Sequence, residues 1–196
     1  IAYYKKGDFD SARAAYEKAV ALRPRSPLAH NNLGETLLRL GDIAGAEREL
    51  ELAVSLNPRF ALAFANLADL ALRQGDLVKA RVFVDKARTL NPEIPSVWNI
   101  AGNLAFREGR TAEAVERYRR ALAIDPDYDK GYFNLGICLF ETNDVAAARD
   151  NFKRAIALNP NFAEAHASLG YCLIKENKVD DGIAEILQAQ KLGFRS

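Results

Sequence analysis

Two histidines, His30 and His166, and two cysteines, Cys138 and Cys172, are the side chains of this 196-residue chain best suited to hold a metal or act as nucleophiles. A metal site needs such groups at ligand spacing, and nucleophilic catalysis needs a base beside the nucleophile. Their spacing argues against both. The cysteines stand one long interval apart, and the histidines are separated by four times that interval. No paired-cysteine metal motif, phosphate-cradling glycine-rich loop or His-Glu-x-x-His helix is present. The many carboxylates scatter over what read as helix surfaces and caps, with no nucleophile–base pair among them. The expectation is a non-catalytic chain with no cofactor and no metal.

The interval between the cysteines organises the whole sequence. Pro24, Pro58, Pro92, Pro126 and Pro160 follow one another at that same 34-residue interval, and a fixed period of such length marks an array of one supersecondary unit. Within a period, Leu33, Leu37 and Leu40, then Ala46, Leu50, Ala53 and Val54, recur at three- and four-residue steps. Each period therefore holds two amphipathic helices. Gly7, Gly41, Gly75 and Gly109, with Asn143 and Asn177 in the later periods, suit a left-handed helix end. Asp8, Asp42, Asp76 and Asp144 follow directly, as N-caps of the second helix. The proline then separates that helix from the next pair, because it has no N–H to donate.

Equivalent positions in stacked helices lie at least ~8–10 Å apart, beyond the ~7 Å reach of a disulfide. Cys138 and Cys172 therefore read as buried structural thiols. His30 and His166 share a large-residue position with Phe64, Trp98 and Tyr132 and read as core packing.

The order of that large residue, Leu-Gly (Leu33-Gly34, Leu135-Gly136, Leu169-Gly170), Ala (Ala46, Ala80, Ala114, Ala148), an aromatic or aliphatic (Tyr16, Leu50, Val84, Tyr118, Phe152, Ile186), Ala and Pro resembles the tetratricopeptide repeat. Departures are local: Ala68 replaces the glycine, Ala101 the leucine, and Phe194 stands where a sixth proline would fall. The resemblance implies an all-α fold, an α-α superhelix that is a right-handed solenoid of antiparallel helix pairs with a 34-residue repeat. One domain over 1–196 is expected, with a partial repeat at 1–26 and full repeats at 27–60, 61–94, 95–128, 129–162 and 163–196. The chain opens inside a first helix, at Ile1, Ala2, Tyr3 and Tyr4, and reads as a segment of a longer protein.

The resemblance also implies that the first helix of each pair lines a concave ligand face. Carried over, this places Asn32, Asn66 and Asn134 in one row, which Ser168 completes and Ile100 interrupts, with Asn99 and Asn103 beside the interruption. An asparagine offers a donor and an acceptor to the backbone of an extended peptide. It is equally a common polar residue before Leu-Gly in this family, and both readings stand.

Hydrogen bonds contribute ~0.5–1.5 kcal/mol each, whereas micromolar affinity needs about 8 kcal/mol, so other anchors are required. The early repeats present Asn31, Glu35, Arg39, Asp69 and Arg73. The later ones present Phe106, Phe133, Ile137, Phe140, Tyr171 and Ile174, with Lys130 and Arg107 at the margins. Phe133, Ile137 and Tyr171 are the hardest to explain as core and are the expected anchors. The carboxylate clamp of chaperone-binding members is missing: Lys130 is followed by Asn134 where arginine is required, and Ala65, Asp69 and Ile100 replace other members.

The function these features imply is a non-catalytic scaffold that binds a peptide or amphipathic helix of another protein. Two alternatives remain: the substrate-recruiting arm of a larger enzyme, glycosyltransferase-like, or of an envelope-assembly machine, and an oligomerisation spacer. The 27 basic and 26 acidic residues nearly cancel, so no global field recruits nucleic acid or an anionic membrane. No apolar run is long enough to span a bilayer. The compartment stays open, with cytoplasm favoured over periplasm. In the last repeat, Ile183, Ile186, Leu187, Leu192 and Phe194 exceed what one repeat can pack internally. That surplus points to a cap helix, a further repeat or end-to-end self-association.

Overall fold

Residues 8–194 are described by the computed structural model, which contains eleven helices and no strand among them. In chain order these are α1 (Phe9–Leu22), α2 (Pro27–Leu40), α3 (Ile43–Leu56), α4 (Ala61–Gln74), α5 (Leu77–Leu90), α6 (Pro95–Arg107), α7 (Thr111–Ile124), α8 (Asp129–Glu141), α9 (Val145–Leu158), α10 (Ala163–Lys175) and α11 (Val179–Lys191). The expected helix start at Ile1–Tyr4, and Gly7, lie outside the described residues. The chain divides into two compact units, Ile1–Ile100 and Ala101–Ser196, with the division falling inside α6. In each unit neighbouring helices of similar length, joined by short turns, pack side by side as antiparallel pairs.

Local chemistry sets the helix ends. The carboxylates of Asp8, Asp42, Asp76 and Asp144 accept from the backbone N–H groups of Ser11, Gly45, Lys79 and Ala147 at 2.9–3.2 Å. Each satisfies a donor that the first helical turn leaves unpaired. Arg110 and Lys178 take that place before α7 and α11 and make no such bond. Gly41, Gly75 and Gly109 adopt φ of 82°, 80° and 75°, and Asn143 and Asn177 reach 65° and 64°. A Cβ on any of the three glycines would meet nothing within 4 Å. The requirement is thus for the left-handed backbone alone, and asparagine meets it tolerably.

The helices of a pair touch where a glycine faces a large side chain. A Cβ added to Gly34 would lie 2.7 Å from Leu50 Cγ, on Gly102 2.4 Å from Tyr118 Cε1, on Gly136 2.6 Å from Phe152 Cε1, and on Gly170 2.6 Å from Ile186 Cγ1. Ala68, the one departure, occurs in the period whose facing register holds Val84, the smallest residue of the set. Both Ala68 and Val84 are buried. Added volume on one helix is matched by removed volume on the other, as close packing demands.

The prolines do more than separate helix pairs. His30 Nε2 lies 2.9 Å from the Pro24 carbonyl, Trp98 Nε1 donates to Pro92 O at 2.6 Å, Tyr132 Oη to Pro126 O at 3.2 Å, and His166 Nε2 lies 3.1 Å from Pro160 O. The large-residue position therefore clips the turn that precedes its helix. Phe64 has no donor and packs its ring 6.3 Å from that of Phe83 instead.

Candidate functional site

Within the first unit, the asparagines expected on a ligand face form a link between repeats. Asn31 on α2 is fully buried, and its Oδ1 accepts from Asn66 Nδ2 on α4 at 2.9 Å. Asn31 Nδ2 in turn donates to Asn32 Oδ1 at 3.4 Å. Asn66 is buried, whereas Asn32 is half-buried and keeps an open edge. Arg73 is exposed, donates to Asp69 at 3.0 Å and reaches the Leu38 carbonyl at 3.5 Å. Asn99, near the end of this unit, is buried.

In the second unit the apolar inner positions separate into two kinds. Phe133 on α8 is half-buried, with its ring centroid 4.8 Å from that of Phe162 and 5.9 Å from that of Phe152. Ile137 packs on the same cluster, built from Ala148, Phe152, Leu169, Cys172 and Leu173. Neither is surplus to the core as expected: Phe162, arriving from the turn before α10, packs on Phe133, and Ile137 rests on the Phe152–Leu169 cluster. Tyr171 differs: it is 47% exposed, and Ile174, one turn along α10, is 38% exposed. Lys175, the next residue of α10, places its Nζ 4.8 Å from the ring centroid of Phe140 on α8. Asn103 is half-buried and accepts from the buried Tyr118 hydroxyl at 2.8 Å. Asn134 and Lys130 are half-buried, and Arg107 is exposed.

The two cysteines and two histidines have structural roles. Both cysteines are buried and unpaired with each other. Burial pushes each thiol up to about 11, with Glu141 adding to the effect at Cys138 and Glu176 at Cys172. His30 and His166 are buried, as expected, but are not apolar filler. Each Nδ1 lies 2.6 Å from a carboxylate oxygen, of Glu49 and Glu185 respectively, while Nε2 reaches the proline carbonyl. The identical separation of histidine and glutamate in the two repeats was the available signal for this clip. Among the described residues no group of three His, Cys, Asp or Glu side chains is placed to hold a metal ion.

Comparison with known proteins agrees with this architecture. The family model for the cilia and flagella-associated protein 70 C-terminal domain, a tetratricopeptide-repeat (TPR) model, matches residues 1–194. No curated protein sequence matches significantly. Among solved structures, TTC0263, a thermophilic TPR protein of Thermus thermophilus, aligns with a TM-score of 0.79 at 21% identity, over 87% of this chain and 93% of that one. PilF of Pseudomonas aeruginosa aligns with a TM-score of 0.72 at 23% identity, over 96% of this chain and 79% of the other. YrrB, a TPR protein with an unusual peptide-binding site, aligns with a TM-score of 0.56 at 16% identity, over 93% and 94% of the two chains. At these identities the likeness establishes the fold, an all-α superhelix. No helix among the described residues is long and apolar enough to cross a membrane.

Proposed function

We propose that this chain, which belongs to the tetratricopeptide-repeat family of the cilia and flagella-associated protein 70 C-terminal domain, is a non-catalytic scaffold holding a peptide or amphipathic helix of another protein against α8 and α10. The observation that carries this reading is the exposure of Tyr171 and Ile174 on one face of α10, beside Lys175 and the Phe140 ring it covers. Two apolar side chains at i and i+3 make a continuous stripe on a helix. Aromatic and aliphatic anchors of this kind carry most of the binding energy at protein interfaces. Phe133, Asn134 and Ile137 on α8 are half-buried and keep part of their surface open, and Lys130 and Arg107 would suit acidic residues of a bound segment. YrrB, with its peptide-binding site, supports the choice of ligand class.

The test is affinity capture with the 196-residue chain, followed by peptide mapping of what it retains. Tyr171→Ala with Ile174→Ala, both in exposed positions, should weaken the mapped interaction at least about tenfold, a loss of ~1.4 kcal/mol, with helicity and melting temperature unchanged. Undiminished affinity in that variant would overturn the assignment.

A further inference from the structure

We propose that Ser26 is a phosphorylation site, the acceptor of a phosphoryl group from a serine kinase, and that the product tightens the junction between α1 and α2. The site is separate from the α8–α10 ligand face. The evidence is a set of departures that fall together in the first of the equivalent turns. In the later turns the leading residue is Asn57, Asn91, Asp125 or Asn159, and its side-chain oxygen accepts from the backbone N–H two residues on at 3.0–3.3 Å. Arg23 takes that place and has no acceptor to offer. The closing residue of the later turns is Phe60, Ile94, Tyr128 or Phe162, whereas Ser26 stands in the first.

These exchanges gather Arg23, Arg25 and Pro27 around one hydroxyl. Arginines three residues and one residue before a serine suit the carboxylate-lined substrate groove of a kinase, which discriminates by charge pattern. Pro27 confines Ser26 to extended backbone, and its φ of −92° and ψ of 105° match the extended strand that a kinase cleft receives. Pro24 and Arg25 are exposed and Ser26 is half-buried, and the corresponding three residues of every later turn share that pattern. Access is thus a property of the register. Thr89 has Lys86 and Arg88 at the same two places, but it lies inside α5 with its hydroxyl donating to the Asp85 carbonyl at 2.8 Å.

In the transfer the Ser26 Oγ attacks the γ-phosphorus of a nucleoside triphosphate held by the kinase. The new Oγ–P bond forms as the bond from that phosphorus to the β-phosphate oxygen breaks, the diphosphate leaves, and the hydroxyl proton passes to a kinase carboxylate. The phosphoserine then carries a charge of about −1.5 to −2 and three strong acceptor oxygens. The Ala29 N–H already donates to Ser26 Oγ at 3.3 Å, and the guanidinium groups of Arg23 and Arg25 belong to the same short turn. His30 keeps the backbone of that turn in place through the Pro24 carbonyl. Added negative charge is therefore met by cations and by backbone donors, and it ties the turn more firmly to α2.

The test is incubation of the 196-residue chain with magnesium ATP and a kinase of the class that reads an arginine three residues before and a proline directly after the serine. Intact mass and peptide mapping should find one phosphate, on Ser26, and Ser26→Ala should abolish it. Arg23→Gln, which leaves the Ser26 cap in place, should slow incorporation about tenfold, as loss of a charge-assisted contact does. The phosphorylated chain should melt about 2–4 °C above the unmodified one. No incorporation, a phosphate on another hydroxyl in place of Ser26, a rate indifferent to Arg23→Gln, or a melting temperature that does not rise on modification would overturn the proposal.

Discussion

Gly102 lies so close under the Tyr118 ring that a Cβ on it would stand 2.4 Å from Cε1 and 2.7 Å from Cδ1. The ring is 2% exposed, and its hydroxyl is tied to Asn103, so it has little freedom to retreat. Gly102→Ala should therefore destabilise the chain by ~1–3 kcal/mol through overpacking. Tyr118→Val alone should cost ~2–4 kcal/mol by leaving a cavity. The double variant reproduces the Ala68 and Val84 combination of an earlier period, so its loss should fall short of the sum by ~1 kcal/mol or more. Urea unfolding of the three variants measures this, and strict additivity would refute the compensation.

Trp98→Phe isolates the turn clip. The substitution keeps most of the ring but removes the donor to Pro92 O, a bond worth ~0.5–1.5 kcal/mol. Phe64 shows that the position accepts a ring without a donor when another aromatic packs on it. His166→Phe should cost more than Trp98→Phe, because it removes contacts to both Glu185 and Pro160. Thermal melts followed by far-ultraviolet circular dichroism compare the two, since Trp98 is the sole tryptophan and fluorescence would be lost with it.

What was legible in the sequence is what depends on near neighbours along it. Asp42 caps, Gly41 turns left-handed and Asn143 substitutes for glycine because a few adjacent residues decide each outcome, and the period repeats the decision. Register alone also identified Cys138 and Cys172 as buried. What failed was the separation of Phe133 from Tyr171. Both lie at inner positions of a first helix, and only the arrival of Phe162, from the turn before the next pair, converts one into packing. The histidine clips escaped because a carboxylate on the following helix is invisible to helical periodicity. Ala68 looks like an isolated departure until Val84, at the facing register, is set beside it.

The two thiols provide a test of burial. With both raised from 9.0 to about 11 by burial, neither should react with a maleimide or disulfide reagent at pH 8 until the chain unfolds. The folded value exceeds the unfolded one, so the contribution to stability is fully present below pH 9 and is lost as pH rises towards 11. Replacing both with alanine should flatten the decline in stability across that window. Rapid labelling of the folded chain would contradict the buried placement.

Glu176 ties the acid response of the chain to one junction between repeats. Hydrogen bonds from Lys178 Nζ at 2.9 Å and from Arg149 Nη1 at 2.8 Å hold its carboxyl below the ordinary value of 4.5. A lowered folded value means that the stabilisation is present at neutral pH and lost as pH falls below 4.5 through that folded value. Because Arg149 lies on α9 and Glu176 caps α10, protonation loosens the junction between successive pairs. Glu176→Gln should remove this part of the acid sensitivity and lower stability at pH 7 by the same small amount that acid takes from the parent, since an ion pair near the surface contributes little. Urea unfolding at pH 7 and near pH 3 measures both quantities. Equal acid sensitivity in parent and variant would place the labile junction elsewhere.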